Sequence, residues 1–350
     1  MLEAVLELAE SMRASDLHLV TGRPPTARVW GEMQEMPRGV LSAEEVEGAF
    51  AQMADEGARE AYARQRDADF SWQSAAGARY RVNAHRQREG MALSIRRIAA
   101  NPPRLTELGL PPAVEKLTRL SRGLVLVTGH TGSGKTTTLA AMVEEMNRRD
   151  RKHIITLEDP IEFLFESKQC LIEQRELGRD TPSFSSALRH ALRQDPDVLL
   201  VGEMRDYDTA ALAISAAETG HLVLATLHTL DASRTVERII DMFPGDQQNQ
   251  VRSMLSDTLQ GVVSQTLVPR MDGTGMVAAV EVLVTTPAVR NIVRESRTFE
   301  IPNVIETNKA LGMRTLDAAI SELYLAGVIS REEALARAVQ PERMDRQLAS

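Results

Sequence analysis

The feature that most constrains this chain is Gly129-His130-Thr131-Gly132-Ser133-Gly134-Lys135-Thr136, which fits the pattern G-x-x-x-x-G-K-[ST]. It lies between an apolar run at 124–128 and a helix-forming stretch at 135–147. Strand, glycine-rich loop and helix in that order form an anion cradle. Glycine lets the backbone curl so that its N–H groups face a phosphate, and the helix N-terminus adds partial positive charge. Lys135 is placed to reach the β and γ oxygens, and the Thr136 hydroxyl to ligate Mg²⁺. The pattern therefore predicts an α/β domain built on a mainly parallel sheet, with ATP and Mg²⁺ as the expected ligands. Runs at 153–157, 198–201 and 221–227 are apolar or β-branched throughout, as strands buried on both faces should be, and helical stretches at 185–192 and 207–218 alternate with them.

A phosphate loop alone accounts for binding. Hydrolysis needs acidic groups delivered to the γ-phosphate, and two segments qualify. Asp197-Val198-Leu199-Leu200-Val201-Gly202-Glu203 is an apolar strand ending in a carboxylate, with Gly202 standing where an aspartate often follows such a run. Glu203 would serve the metal through water, polarise the attacking water, or both. Thr156-Leu157-Glu158-Asp159-Pro160-Ile161-Glu162 follows another strand. Three carboxylates so close repel one another unless magnesium or arginine is near, and Glu162 could act as general base. A further strand ends in Thr226-Leu227-His228-Thr229, where His228 reads either as a γ-phosphate sensor or as a structural histidine, with Thr226 a weaker companion.

Before this domain, the first hundred residues read as a smaller α+β unit. Leu2, Val5, Leu6 and Ala9 have the spacing of an amphipathic helix, and Ser42-Ala43-Glu44-Glu45 is a capping box that should open a second helix running to about Met53. Strands are expected at 16–20, 26–30, 68–73, 79–85 and 91–98. Asn101-Pro102-Pro103 can continue neither helix nor strand, so the boundary belongs there, with domains at 1–99 and 107–350 and a linker at 100–106. Beyond Asp231 the chain turns mostly helical, apart from a hairpin turning at Asp272-Gly273-Thr274-Gly275. Arg79, Arg81, Arg86, Arg88, Arg96 and Arg97 form a basic stripe, readable as a solvated surface, a nucleic-acid contact, or a phosphate clamp between subunits.

Composition removes several classes. With 350 residues there is room for about two domains. A net charge of −8 and 4% aromatic residues weigh against nucleic acid as the partner, since a translocase would advertise a basic face and stacking rings. One cysteine, Cys170, forms neither an internal disulfide nor a tetrathiolate zinc site, which fits the cytosol. No apolar run is long enough to span a bilayer, and Glu3, Glu7 and Glu10 are foreign to a secretory signal. A nucleotide-dependent scaffold without turnover remains a further reading.

Taken together, the phosphate loop, the acidic box at 156–162, the segment at 197–206 and Thr-Gly-His-Leu-Val-Leu-Ala-Thr-Leu-His-Thr at 219–229 resemble the type II/IV secretion ATPase superfamily. Within it, Pro287-Ala288-Val289-Arg290-Asn291-Ile292-Val293-Arg294-Glu295, otherwise a basic amphipathic helix, is similar to a motif of the type IV pilus retraction ATPases. The resemblance covers nearly the whole chain, from Ser15-Asp16-Leu17-His18-Leu19 onward. It implies an N-terminal PAS-like domain, a RecA-like P-loop ATPase domain with a helical C-terminal part from about residue 287, and a homohexameric motor that drives twitching motility by ATP hydrolysis. It implies that Gly129, Thr131, Gly132, Ser133, Gly134, Lys135, Thr136 and Thr137 hold nucleotide, that Thr136 and Glu203 serve the metal, and that Glu162, Glu203 and His228 are catalytic. Arg81 and Arg96 match the N-domain arginines that reach the site. The implied partners are a platform protein at the inner membrane, where the cytoplasmic ring docks at the pilus base, and a second retraction ATPase. His130 stands where proline or alanine is frequent, and Ser296 where glycine often follows the motif. The zinc-binding tetracysteine insert of many assembly and secretion relatives is missing, which favours retraction, while accessory retraction ATPases share most of these segments.

Overall fold

The computed structural model describes residues 1–29, 32–98 and 101–348. Trp30, expected to end the second strand, and Ala99 and Ala100, where the expected domain meets its linker, lie outside the described residues. The chain divides into two compact units, Met1–Asn101 with Glu162–Leu164, and Pro102–Ile161 with Phe165–Ser350.

The first unit contains α1 (Leu2–Ser11), β1 (Asp16–Val20), β2 (Thr26–Val29), β3 (Glu32–Glu35), α2 (Ala43–Met53), α3 (Glu56–Gln65), β4 (Asp67–Gln73), β5 (Arg79–Gln87) and β6 (Gly90–Ile98). Its antiparallel sheet has the order β3-β2-β1-β6-β5-β4. Alternation decides which face is buried: Leu17 and Leu19, Val82 and Ala84, and Leu93 and Ile95 pack against Leu2, Val5, Leu6, Val46 and Phe50 of the helices. The capping box forms as expected, with Glu45 N–H donating to the Ser42 hydroxyl and Ser42 N–H to the Glu45 carboxylate. This is an α+β unit, as anticipated. Two elements carry no periodic signal in the sequence: β3, all of whose side chains are exposed, and α3, which lacks a strong apolar stripe.

The second unit runs α4 (Pro112–Leu117), β7 (Gly123–Thr128), α5 (Lys135–Arg149), β8 (His153–Glu158), β9 (Leu171–Glu176), α6 (Phe184–Ala191), β10 (Val198–Val201), α7 (Tyr207–Glu218), β11 (Leu222–Leu227), α8 (Ala232–Asp241), α9 (Gln248–Thr258), β12 (Leu259–Pro269) and β13 (Met276–Val284). Five more helices follow: α10 (Pro287–Arg294), α11 (Ile301–Thr307), α12 (Leu316–Leu325), α13 (Arg331–Arg337) and α14 (Pro341–Leu348). The sheet order is β13-β12-β7-β11-β10-β8-β9, parallel except for β13. Both faces are covered, which explains the uninterrupted apolar runs. Leu124 and Leu126 enter the core shared with α6 to α11, while Val125 and Val127 enter the core shared with α4 and α5.

Register then fixes the site. Leu227 pairs with Thr128, and Val201 with both Leu157 and Ala225. The C-terminal ends of β7, β8, β10 and β11 therefore share one edge, where open α/β sheets bind their ligands.

Candidate active site

At the end of β7 the glycines of the loop take conformations closed to other residues. Gly129, Gly132 and Gly134 have φ of 145°, 79° and 87°. A Cβ at Gly129 would lie 2.3 Å from the Gln265 carbonyl oxygen and 2.4 Å from Ser133 Oγ, so the first position of the loop tolerates no side chain. Lys135 opens α5. Its buried ammonium donates to the carbonyls of Gly129 at 2.8 Å and His130 at 3.0 Å, curled into the loop that it would share with a phosphate. Thr136 and Thr137 follow in the first helical turn and are half-buried.

Lys135 Nζ also lies 3.4 Å from His228 Nδ1, and His228 Nε2 lies 3.0 Å from Glu203 Oε1. Because an ammonium only donates, Nδ1 is the acceptor in the first contact, which leaves Nε2–H as the donor to Glu203. Arg205 meets the other carboxylate oxygen of Glu203 at 2.7 Å. Partial burial of Glu203 opposes its ionisation, but the hydrogen bonds from Arg205 and His228 outweigh burial and hold the carboxyl below the usual glutamate range. A continuous polar path thus runs Lys135–His228–Glu203–Arg205 across the strand ends.

Local packing aims these groups. Gly202 N–H donates to the Leu157 carbonyl at 2.7 Å, and a Cβ at Gly202 would lie 3.0 Å from that oxygen. A side chain there would crowd that carbonyl and push the backbone aside by a few tenths of an ångström, and the carboxylate stands one residue later, at Glu203. The Thr226 hydroxyl donates to the Gly202 carbonyl, Met204 N–H donates to the Thr226 carbonyl, and the Met204 side chain is buried in the core. Thr226 therefore braces the turn that presents Glu203. Asp206 then caps α7 through Thr209. Past His228, Asp231 caps α8, and the Ala232 N–H donates to Glu281 Oε1 of β13 at 2.9 Å. Burial pushes the Glu281 carboxyl up to about 7, with backbone donors and the neighbouring Asp231 and Asp317 as smaller influences.

The carboxylates of the acidic box differ in their surroundings. Glu158 turns inward, accepting from the Thr156 hydroxyl at 2.6 Å and from Gln174 at 3.1 Å, whereas Glu162 is exposed and belongs to the first unit with Leu164.

Arg81 and Arg96 are also in the first unit, directly opposite each other on β5 and β6. Each guanidinium has an aspartate: Arg96 binds Asp16 through Nε and Nη2 at 2.7 Å, and Arg81 lies 3.9 Å from Asp69. With Asn83 and Ser94 these four line a cavity of about 210 Å³ on the exposed face of the sheet. Arg97 points to the opposite side, where it meets Glu10 at 3.3 Å, so the basic stripe divides between two faces. The helix carrying the retraction-like motif is α10, whose Arg290 donates to the Ser256 and Asp257 carbonyls at the end of α9.

Sequence reasoning included Arg205 in the segment at 197–206 but gave it no role, although its charge two residues beyond Glu203 is a usable signal. It also gave no role to Gln265 or Thr266, which touch the phosphate loop from β12. Among the described residues no group of three or more His, Cys, Asp or Glu could hold a metal by itself, and no helix is long and apolar enough to cross a membrane.

Residues 73–335 match the model of a family described as type II/IV secretion system protein. The chain is 46% identical to the type IV pilus retraction ATPase PilT of Pseudomonas aeruginosa, over 97% of this chain and 98% of that protein. It is 47% identical to a twitching motility protein of Neisseria gonorrhoeae, over 91% and 86%. Among solved structures, the pilus retraction motor PilT with bound ADP superposes with a TM-score of 0.91 at 40% identity, covering 98% of both chains.

Proposed function

We propose, because the chain belongs to the type II/IV secretion system protein family, that it is a homohexameric ATPase whose turnover powers retraction of type IV pili. The observation that carries hydrolysis is the path Lys135–His228–Glu203–Arg205 at the mouth of the phosphate loop. Near-complete alignment with retraction ATPases supports the mechanical role.

In this reading the loop amides and Lys135 grip the β- and γ-phosphates, with Gly129, Thr131, Gly132, Ser133, Gly134, Thr136 and Thr137 forming the rest of the cradle. The Lys135 ammonium exchanges its carbonyl partners for phosphate oxygens. Glu203, kept ionised by Arg205 and His228, orients and polarises the attacking water, and His228 reports whether the γ-phosphate is present, because Lys135 and Glu203 both touch it. Mg²⁺ fits the donors available: the Thr136 hydroxyl and the ionised Glu203 would hold it beside the phosphates, directly or through water. When bound, it neutralises phosphate charge. Glu162 is a second candidate carboxylate. Arg81 and Arg96 would act on the nucleotide of a neighbouring copy, where an added guanidinium is worth about 10³ to 10⁵ in rate.

Such a ring would work in the cytoplasm, docked on a platform protein at the inner membrane, with a second retraction ATPase as a further partner. Deleting the gene in its own organism tests the role: surface pili should accumulate while twitching stops. Loss of pili instead would make it an assembly ATPase, and unchanged pili and motility would remove it from pilus biology.

A further inference from the structure

Glycine gives the phosphate loop its shape but does not choose the direction in which each peptide faces. Gly134 sits at φ 87°, and a glycine adopts either sign of φ with little preference. Something else must select the orientation of the Ser133–Gly134 peptide. β12 runs parallel to β7 with Ser264 opposite Thr128, and their hydroxyls bond at 2.8 Å. The next residue, Gln265, is 4% exposed, and its amide is used at both ends. Nε2 donates to the Ser133 carbonyl at 2.6 Å, and Oε1 accepts from the Thr138 hydroxyl at 2.9 Å. The two contacts fix which way the amide is turned, since only its nitrogen can donate.

In a planar trans peptide the C=O and N–H point in opposite directions. Holding the Ser133 oxygen against β12 therefore turns the Gly134 N–H away from β12, at the residue that caps the N-terminus of α5. We infer that Gln265 is a positioning residue for the nucleotide: its Nε2–H locks the Ser133–Gly134 peptide with the N–H facing the phosphate. Without that donor, rotation of the peptide would bring a carbonyl oxygen into the cradle, and a repulsive dipole would replace an attractive one. The inference rests on the reading that this loop binds nucleotide phosphate.

The test is ADP affinity, measured calorimetrically on the full-length wild type, Gln265→Met and Thr138→Val, with thermal midpoints taken without nucleotide. Gln265→Met removes both amide contacts, and Thr138→Val only the one remote from the Ser133 carbonyl. ADP affinity should fall about tenfold in Gln265→Met, the equivalent of one lost hydrogen bond, and less than about threefold in Thr138→Val. Gln265→Glu covers the case in which Gln265→Met fails to fold. It still accepts from Thr138 but lacks the donor, and its buried carboxylate adds a repulsion that salt screens little, so it should lose at least about tenfold. ADP binding within twofold of wild type by Gln265→Met or Gln265→Glu would overturn the inference. So would an equal loss in Thr138→Val, which would indicate general loosening of the core. If the wild type itself binds no ADP, the nucleotide reading fails instead.

Discussion

Replacing Glu281 by glutamine should change how the stability of this protein responds to pH. Glu281 is buried in β13, holds the first N–H of α8 just beyond the His228 loop, and has its carboxyl pushed from 4.5 up to about 7, chiefly by burial. Between those values the folded chain keeps a proton that the unfolded chain has released. The contribution of Glu281 is thus fully present below pH 4.5 and is lost as pH rises through about 7. At about 1.36 kcal/mol per pH unit, the interval amounts to about 3 kcal/mol. Glutamine is neutral at every pH and still offers an oxygen to Ala232. Urea unfolding of wild type and Glu281→Gln, compared at about pH 5 and about pH 8, isolates the effect because all other titrations are common to both. Because the unfolded carboxyl is already largely ionised at about pH 5, the variant should gain about 2.5 kcal/mol on the wild type between the two conditions. Parallel stability curves, with a difference constant to within about 0.5 kcal/mol, would show that Glu281 is already ionised in its pocket and refute the reasoning.

Two further perturbations follow from the site. Gly129→Ala places a methyl group 2.3 Å from the Gln265 carbonyl oxygen at a φ of 145°, so nucleotide binding measured by calorimetry should be lost and the thermal midpoint lowered; wild-type affinity would show that the loop can move aside. Arg96→Ala and Lys135→Ala subunits, each inactive alone, should regain some ATP turnover when co-assembled, because a mixed interface can combine an intact loop with an intact arginine; no recovery at any mixing ratio would exclude donation between subunits.

Much of this architecture was legible because local and global signals agree. The phosphate loop carried its own strand and helix, the capping box at Ser42 and Glu45 formed as written, and buried runs such as 198–201 and 222–227 became central strands. Glu203 and His228 could be placed on one sheet edge from their positions at strand ends. What stayed hidden depends on register or on the second side of an element. β9 lies at a sheet edge with Glu, Gln and Arg along much of its length and only its last residue buried, and so carries little strand signal in the sequence. Arg96 and Arg97 are adjacent in sequence yet take opposite faces, which no count of charges reveals. Gln265 meets the loop from 132 residues away, and only the pairing of β12 with β7 brings it there.

In the proposed mechanism the carboxylate of Glu203, held ionised beside His228, turns a phosphate-binding loop into a hydrolase. Its most direct test is phosphate release by purified Glu203→Gln, with ATP affinity measured on the same sample. ATP affinity should stay close to wild type while turnover falls about a hundredfold or more. Wild-type turnover by that variant would contradict the mechanism.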